Sequence, residues 1–220
     1  MPDTAFWPSH AQPAFEALIR LVYDVSTLPP DLLKKFHTWL DDARQRGATE
    51  PTAMALATVN AEGRPEVRMV LLKQADEQGF VFYTNLESPK ARALQARPWA
   101  ELAFYWNPPG RQVRVSGPVR TVDDDEADAY FATRPYLSRI GAWASEQSRP
   151  LPDPLALTRR VARYGLRWPA GGVPRPPHWG GFRVEPERIE FWEEKTFRLH
   201  DRVEWRCEAN GGWSRVPLYP

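Results

Sequence analysis

Cysteine is almost missing from this chain: Cys207 stands alone among 220 residues. That excludes an internal disulfide framework and a thiolate metal cluster. Histidine is sparse as well. His10, His37, His178 and His200 lie far apart with no H-x-x-x-H spacing, so no metal centre is expected. Neither sign of charge dominates, and a formal net charge of +1 supplies no basic field for nucleic acid. Any anion site must therefore be a local cluster. No apolar run approaches the roughly 18 residues that a membrane crossing needs. Residues 1–30 also lack the basic start and apolar core of a secretory signal, which makes the cytoplasm the expected location. Neither G-x-G-x-x-G nor G-x-x-x-x-G-K-[ST] occurs, which disfavours a dinucleotide fold and a P-loop.

What is present is aromatic and apolar. Ten Trp and ten Phe within a 42% hydrophobic chain rule out disorder and suit a β-rich core or a flat ring-binding pocket. The length fits one domain, residues 1–220, with residues 1–50 as a helical N-terminal extension. Phe15, Leu18, Ile19 and Val22 make one apolar helical face, and Pro29-Pro30 breaks the chain. Leu32, Leu33, Phe36, Trp39, Leu40 and Ala43 then predict an amphipathic helix over 31–46, closed by Gly47, to pack on the sheet or on a second subunit. From Thr52 the period changes to that of strands, over 53–59, 66–73, 80–85, 100–106, 112–122, 182–184, 189–192, 202–207 and 213–218. Short strands with polar turns indicate an antiparallel sheet closing into a barrel, a β-rich α+β fold. Helices are predicted over 123–134, where Asp123 and Glu126 form a variant capping box, and from Asp153-Pro154 onward. Asn210-Gly211 marks a tight final hairpin.

The stretch 65–90 concentrates the chemistry. Runs 66–73 and 80–85 with the turn 75–79 predict a hairpin, and Ser88-Pro89 predicts the start of a helix through 91–96. Free N–H groups at that start, with Lys90 in the first turn, suit an anion. A solvated hairpin followed by an ordinarily capped helix fits the same spacing. Further on, Tyr130 and Arg134 share a helix face, with Ser138 just past Pro135. A phenol, a guanidinium and a hydroxyl suit a phosphate ester, and an exposed Tyr–Arg pair fits equally. His200 between Arg198 and Arg202 reads either as a site residue or as a salt-bridged strand terminus.

These strings in combination, RMVLLK, FVFYTNLESPK, YFATRPYLSRIGAW, WGGFR, IEFW and RLHDR, resemble the pyridoxine/pyridoxamine 5′-phosphate oxidase family. The resemblance implies an FMN-dependent homodimer on an antiparallel split β-barrel, with FMN at the subunit interface. It also implies oxidation of pyridoxine 5′-phosphate or pyridoxamine 5′-phosphate by dioxygen to pyridoxal 5′-phosphate and hydrogen peroxide. By the same resemblance Lys73, Tyr130, Arg134 and Ser138 hold the substrate phosphate, while Arg198, Leu199 and His200 face the substrate ring. Arg198 and His200 are the catalytic candidates. FMN falls to Arg68, Met69, Val70, Leu71, Leu72, Lys73, Tyr83, Thr84, Lys90, Gln112, Gln147, Ser148, Trp192 and Arg202. Arg20 and Tyr23 match a segment that closes over bound substrate, and match a plain helix face as well.

Two points qualify the match. Arg68 and Lys73 differ by five, so a regular strand would turn them to opposite faces; otherwise one lies beyond its regular part. The family's S-R-K reads Ser88-Pro89-Lys90 here, which removes a cation near the FMN phosphate, with Arg92 one turn on as a substitute. Two rivals stand beside the oxidase: a relative acting on another ring, as in phenazine biosynthesis, and a flavin-binding barrel without turnover.

Overall fold

Alternation of inward and outward residues from Ala53 onward produces ten strands, every pairing of which is antiparallel. The computed structural model describes residues 27–220; the segment 11–23, with Arg20 and Tyr23, lies outside them. In chain order the elements begin with α1 (Pro30–Gln45), β1 (Ala53–Val59), β2 (Pro65–Leu71), β3 (Gln74–Asp76) and β4 (Gly79–Asn85). Next come α2 (Pro89–Ala96), β5 (Trp99–Trp106), β6 (Arg111–Thr121), α3 (Asp124–Thr133), α4 (Tyr136–Ala144) and α5 (Ala156–Arg167). The chain finishes with β7 (Trp179–Val184), β8 (Arg188–Glu193), β9 (Asp201–Cys207) and β10 (Trp213–Leu218).

The spine is β6. One edge pairs with β5 along its length, while the other pairs with β8 over 111–116 and with β7 over 119–121. The change of partner falls at Gly117, where an added Cβ would sit 1.9 Å from the Glu185 carbonyl oxygen. Only glycine admits that close crossing. The sheet thus splits into a main part, β10-β9-β8-β6-β5-β1-β2, and a lobe of β3, β4 and β7. The split β-barrel expected from the sequence is what forms.

Helix α1 resolves an alternative left open above: it packs on the sheet. Leu32, Phe36, Leu40 and Ala43 enter the core, and the Phe36 ring meets Phe80 at 4.9 Å and Phe104 at 5.2 Å, edge to face. Gly47 takes φ +88° just past the helix, as a C-terminal glycine should.

Several boundaries need correction. The strand expected over 66–73 stops at Leu71 and pairs with β1, so β2 and β4 are not a hairpin; the partner of β4 across the turn is β3. Leu72 drops into the core and Lys73 donates its N–H to the Val81 carbonyl, so the chain changes partner at these two residues. Helix α4 was not foreseen, because Pro135 reads as a stop although proline also starts helices. Asp123 makes no side-chain cap, and Glu126 turns instead to Arg183. Helix α5 begins at Ala156, two residues beyond Pro154, with Asp153 accepting the Leu155 N–H.

Candidate active site

Two cation sites lie on either face of β4. Successive strand side chains point to opposite faces, so Thr84 faces the helix α2 side while Tyr83 faces α3. On the first side Ser88 caps α2, its hydroxyl accepting the Ala91 N–H at 3.4 Å, and Pro89 opens the helix as expected. Lys90 is only 9% exposed, and its Nζ donates to Thr84 Oγ1 at 3.0 Å, Ser88 Oγ at 3.2 Å and Gln147 Oε1 at 2.9 Å. All three acceptors are neutral. Burial, reinforced by the charge of Arg68, pushes the Lys90 ammonium down to about 8. Arg68 points inward from β2, donating to Thr58 Oγ1 at 2.7 Å and pairing with Glu66 at 3.0 Å. Burial lowers its pKa too. A buried ammonium with no carboxylate of its own is unfavourable unless an anion arrives. The donor set fits a phosphate monoester. Gln147 sits in this pocket, and Ser148 follows it at φ 68°.

On the other face three rings lie nearly parallel. Tyr83 stacks on Tyr130 at 4.2 Å and on Trp179 at 5.1 Å. Gly181 permits this, since a Cβ there would meet the Tyr83 ring at 2.8 Å. Arg134 lies over the Trp179 ring at 4.9 Å, and its Nη1 is buried without a hydrogen-bond partner. Burial holds its pKa below the usual value. Burial also raises Tyr130, and it raises Tyr83, with the Glu126 carboxylate adding to it, to about 12. Both phenols therefore stay protonated donors at neutral pH. Ser138 is exposed in the first turn of α4, directly after Arg134-Pro135. Lys73 is exposed and makes no hydrogen bond or ion pair with a described side chain. The parity difficulty is resolved, because Lys73 lies past the regular end of β2.

A third group lies on the outer face of the main sheet. Gln112, Trp192 and Arg202 are directly opposite one another across β6, β8 and β9, hence in one row. Arg202 Nε donates to the buried Glu190 at 2.7 Å and Nη1 to the Tyr219 carbonyl at 3.0 Å. The His200 ring lies 4.6 Å from Trp192, and its Nδ1 accepts the Lys195 N–H at 3.3 Å. His200 stands immediately before β9 and makes no salt bridge among the described residues. Arg198, with φ 61°, and Leu199 are exposed in the turn before β9.

The row shares its face with Val67 and Met69, 69% and 64% exposed, and with Leu71 and Tyr105. Arg68, by contrast, faces inward opposite Leu56. One chain therefore turns the two groups of flavin candidates to opposite sides of the sheet. The structure also parts Tyr83 from Thr84, which the resemblance gave to one ligand. Leu72 is in the core with its N–H on the Thr52 carbonyl, whereas β2 is an edge strand, so alternate backbone groups of 67–71 have no strand partner among the described residues. Val70 points inward and is half-buried. Arg92, the substitute cation considered above, is exposed and its guanidinium donates to the Glu87 carbonyl. Sequence reasoning missed Trp179, Arg183 and Glu190. Two glycines within one strand, Gly180 and Gly181, were the available signal of a close approach.

Fold and site together define an antiparallel split barrel with a cation site on each face of β4. Among solved structures, PhzG from Burkholderia lata in complex with tetrahydrophenazine-1-carboxylic acid is similar, with TM-score 0.82 and 31% identity over 89% of this chain and 99% of that one. A pyridoxamine 5′-phosphate oxidase-related, FMN binding protein from Nostoc punctiforme shares the fold at TM-score 0.71 and 19% identity, over 88% and 100%. The family model described as pyridoxamine 5′-phosphate oxidase matches residues 40–168, and the one described as the pyridoxine 5′-phosphate oxidase C-terminal dimerisation region matches 179–220. The chain belongs to the pyridoxine/pyridoxamine 5′-phosphate oxidase family. Proteins of that name from Rhodospirillum rubrum and Mesorhizobium japonicum are 58% and 55% identical to it, each over 84% of this chain and over 94% and 90% of their own lengths. No described helix is long and apolar enough to cross a membrane.

Proposed function

We propose that this protein oxidises pyridoxine 5′-phosphate or pyridoxamine 5′-phosphate to pyridoxal 5′-phosphate, with FMN as cofactor and dioxygen as oxidant. One observation carries the reading: the buried Lys90 and the half-buried Arg134, neither paired with a carboxylate among the described residues, lie on the two faces of β4. Each ligand brings one terminal phosphate, and each face offers a cation that no described carboxylate neutralises. Lys90, Arg68, Thr84, Gln147 and Ser148 would hold the FMN phosphate, and the open edge of β2 at 69–71 would meet the flavin ring. Lys73, Tyr130, Arg134 and Ser138 would grip the substrate phosphate. A phenazine-type substrate has no use for that clamp, and the identity to the vitamin-phosphate oxidases is also higher.

Bound flavin would accept hydride from the substrate's C4′ and return the electrons to dioxygen as hydrogen peroxide. The chain's own share is placement. Arg198 and Leu199 would orient the substrate ring. Because His200 Nδ1 accepts the Lys195 N–H, Nε2 would be the ring nitrogen left to contact the substrate. The row of Gln112, Trp192 and Arg202 would reach FMN from the second subunit of a homodimer. The apolar outer face, and the match of 179–220 to a dimerisation region, support that assembly. Gel filtration yielding a stable FMN-loaded monomer would reject it.

The test is to purify the protein, record its visible spectrum, and assay peroxide from pyridoxine 5′-phosphate with added FMN. Peroxide supports the oxidase. A flavin spectrum without turnover leaves a binder, and absence of both discards the flavin reading. Pro89 bears on the same pocket. Restoring a cation there, Pro89→Arg, is expected to tighten FMN roughly tenfold or more, as one charge-assisted bond implies. An unchanged dissociation constant in a fluorescence titration would show that position 89 does not reach the phosphate.

A further inference from the structure

Arg183 in β7 is 2% exposed and takes no part in either cation site. Its Nη1 lies 2.5 Å from Asp76 Oδ1 at the end of β3, and its Nη2 lies 3.1 Å from Glu126 Oε1 in the first turn of α3. Asp76 gathers the β3–β4 turn around itself: Oδ1 accepts the Gln78 N–H at 2.8 Å and the Gly79 N–H at 3.1 Å, and Oδ2 accepts the Gln74 amide at 2.5 Å. That turn belongs to the segment that begins with Lys73. Glu126 stands four residues before Tyr130 on one helical face, and Arg134 caps the C-terminus of the same helix. A single guanidinium therefore grips both the segment bearing Lys73 and the helix bearing Tyr130 and Arg134.

We propose that Arg183 is a positioning residue for the substrate phosphate, fixing the separation between Lys73 and the Tyr130–Arg134 pair. The proposal rests on the oxidase reading above. Stability alone is a poor account of this arrangement. Arg183 lies directly opposite the buried Val81 across β4, and buried ion pairs add little over hydrophobic packing. Arg183 Nε is moreover left without a partner. What a planar fork supplies, and a point charge does not, is a fixed angle between two carboxylates.

Arg183→Lys keeps the charge and removes the fork. For this variant KM for pyridoxine 5′-phosphate is expected to rise roughly ten- to a hundredfold, the scale of losing one charge-assisted contact to the phosphate. kcat and the FMN dissociation constant should stay within about twofold, because neither depends on the clamp. Asp76→Asn and Glu126→Gln each weaken one arm and should raise KM in the same direction, with no further increase when combined with Arg183→Lys. Unchanged KM in the folded variants overturns the proposal. So does a parallel loss of FMN affinity and melting temperature, or failure of all three variants to fold, since each marks a residue that serves the fold as a whole. A wild-type enzyme that yields no peroxide indicts the oxidase reading instead, which keeps the two failures distinct.

Discussion

Lys90→Gln is expected to weaken FMN binding roughly 10–100-fold, the effect of losing one charge-assisted hydrogen bond to a phosphate. Glutamine can still bond to Thr84, Ser88 and Gln147, so the loss reports charge rather than collapse of the pocket. Titration of the apoprotein with FMN, followed by quenching of flavin fluorescence, measures it; equal affinities would remove Lys90 from the cofactor site. The same residue predicts a pH dependence. In the unliganded protein burial and then Arg68 bring Lys90 down to about 8. A phosphate monoester is a dianion above about pH 6, so affinity should be highest below pH 8 and fall as Lys90 loses its proton. Near pH 9 binding should draw a proton from solution, seen as a buffer-dependent binding enthalpy that Lys90→Gln lacks. Stability runs the other way. The unfolded chain holds this proton up to the ordinary lysine value of 10.5 and the fold only to about 8. Unliganded protein therefore gains stability from Lys90 as pH rises through that window.

Arg134→Gln is expected to raise KM for pyridoxine 5′-phosphate about a hundredfold, taking about 3 kcal/mol for a charge-assisted contact in a shielded site. FMN binding should not change, because Arg134 lies on the opposite face of β4 from Lys90. A steady-state assay at saturating FMN separates the two constants. If FMN affinity falls instead and KM holds, the two cation sites have been assigned to the wrong ligands. The variant also leaves Trp179 without the guanidinium over its ring. A small shift in tryptophan fluorescence is expected with it.

The two variants probe the two faces of β4, and this is where reading the sequence stopped short. Tyr83 and Thr84 are adjacent in a matched motif, so a linear reading gives them to one ligand; the pleat of β4 sends one to the stacked rings and the other to Lys90. The hairpin assigned to 66–85 failed for a related reason. Both runs have strand composition, but which run pairs with which is decided by the core, where Leu56 and Met54 on β1 demand β2 as a neighbour. Helix α4 was hidden because a proline that ends one helix can begin the next.

What the sequence determined by itself is the set of local states and the chemistry of single residues. Alternation made the strands, Ser88-Pro89 made the helix start, Gly47 ended α1, and the scarcity of cysteine and clustered histidine left cations and aromatic rings as the means of binding. Those effects act over a few residues, through backbone geometry and side-chain size. Only the tertiary structure decided that Lys90 is buried without a counter-charge among the described residues, that Arg183 joins β3 to α3, and that Gln112, Trp192 and Arg202 form a row on the far side of the sheet from Arg68. Desolvation, register and charge pairing depend on residues far apart along the chain, and they take values only when packing brings those residues together.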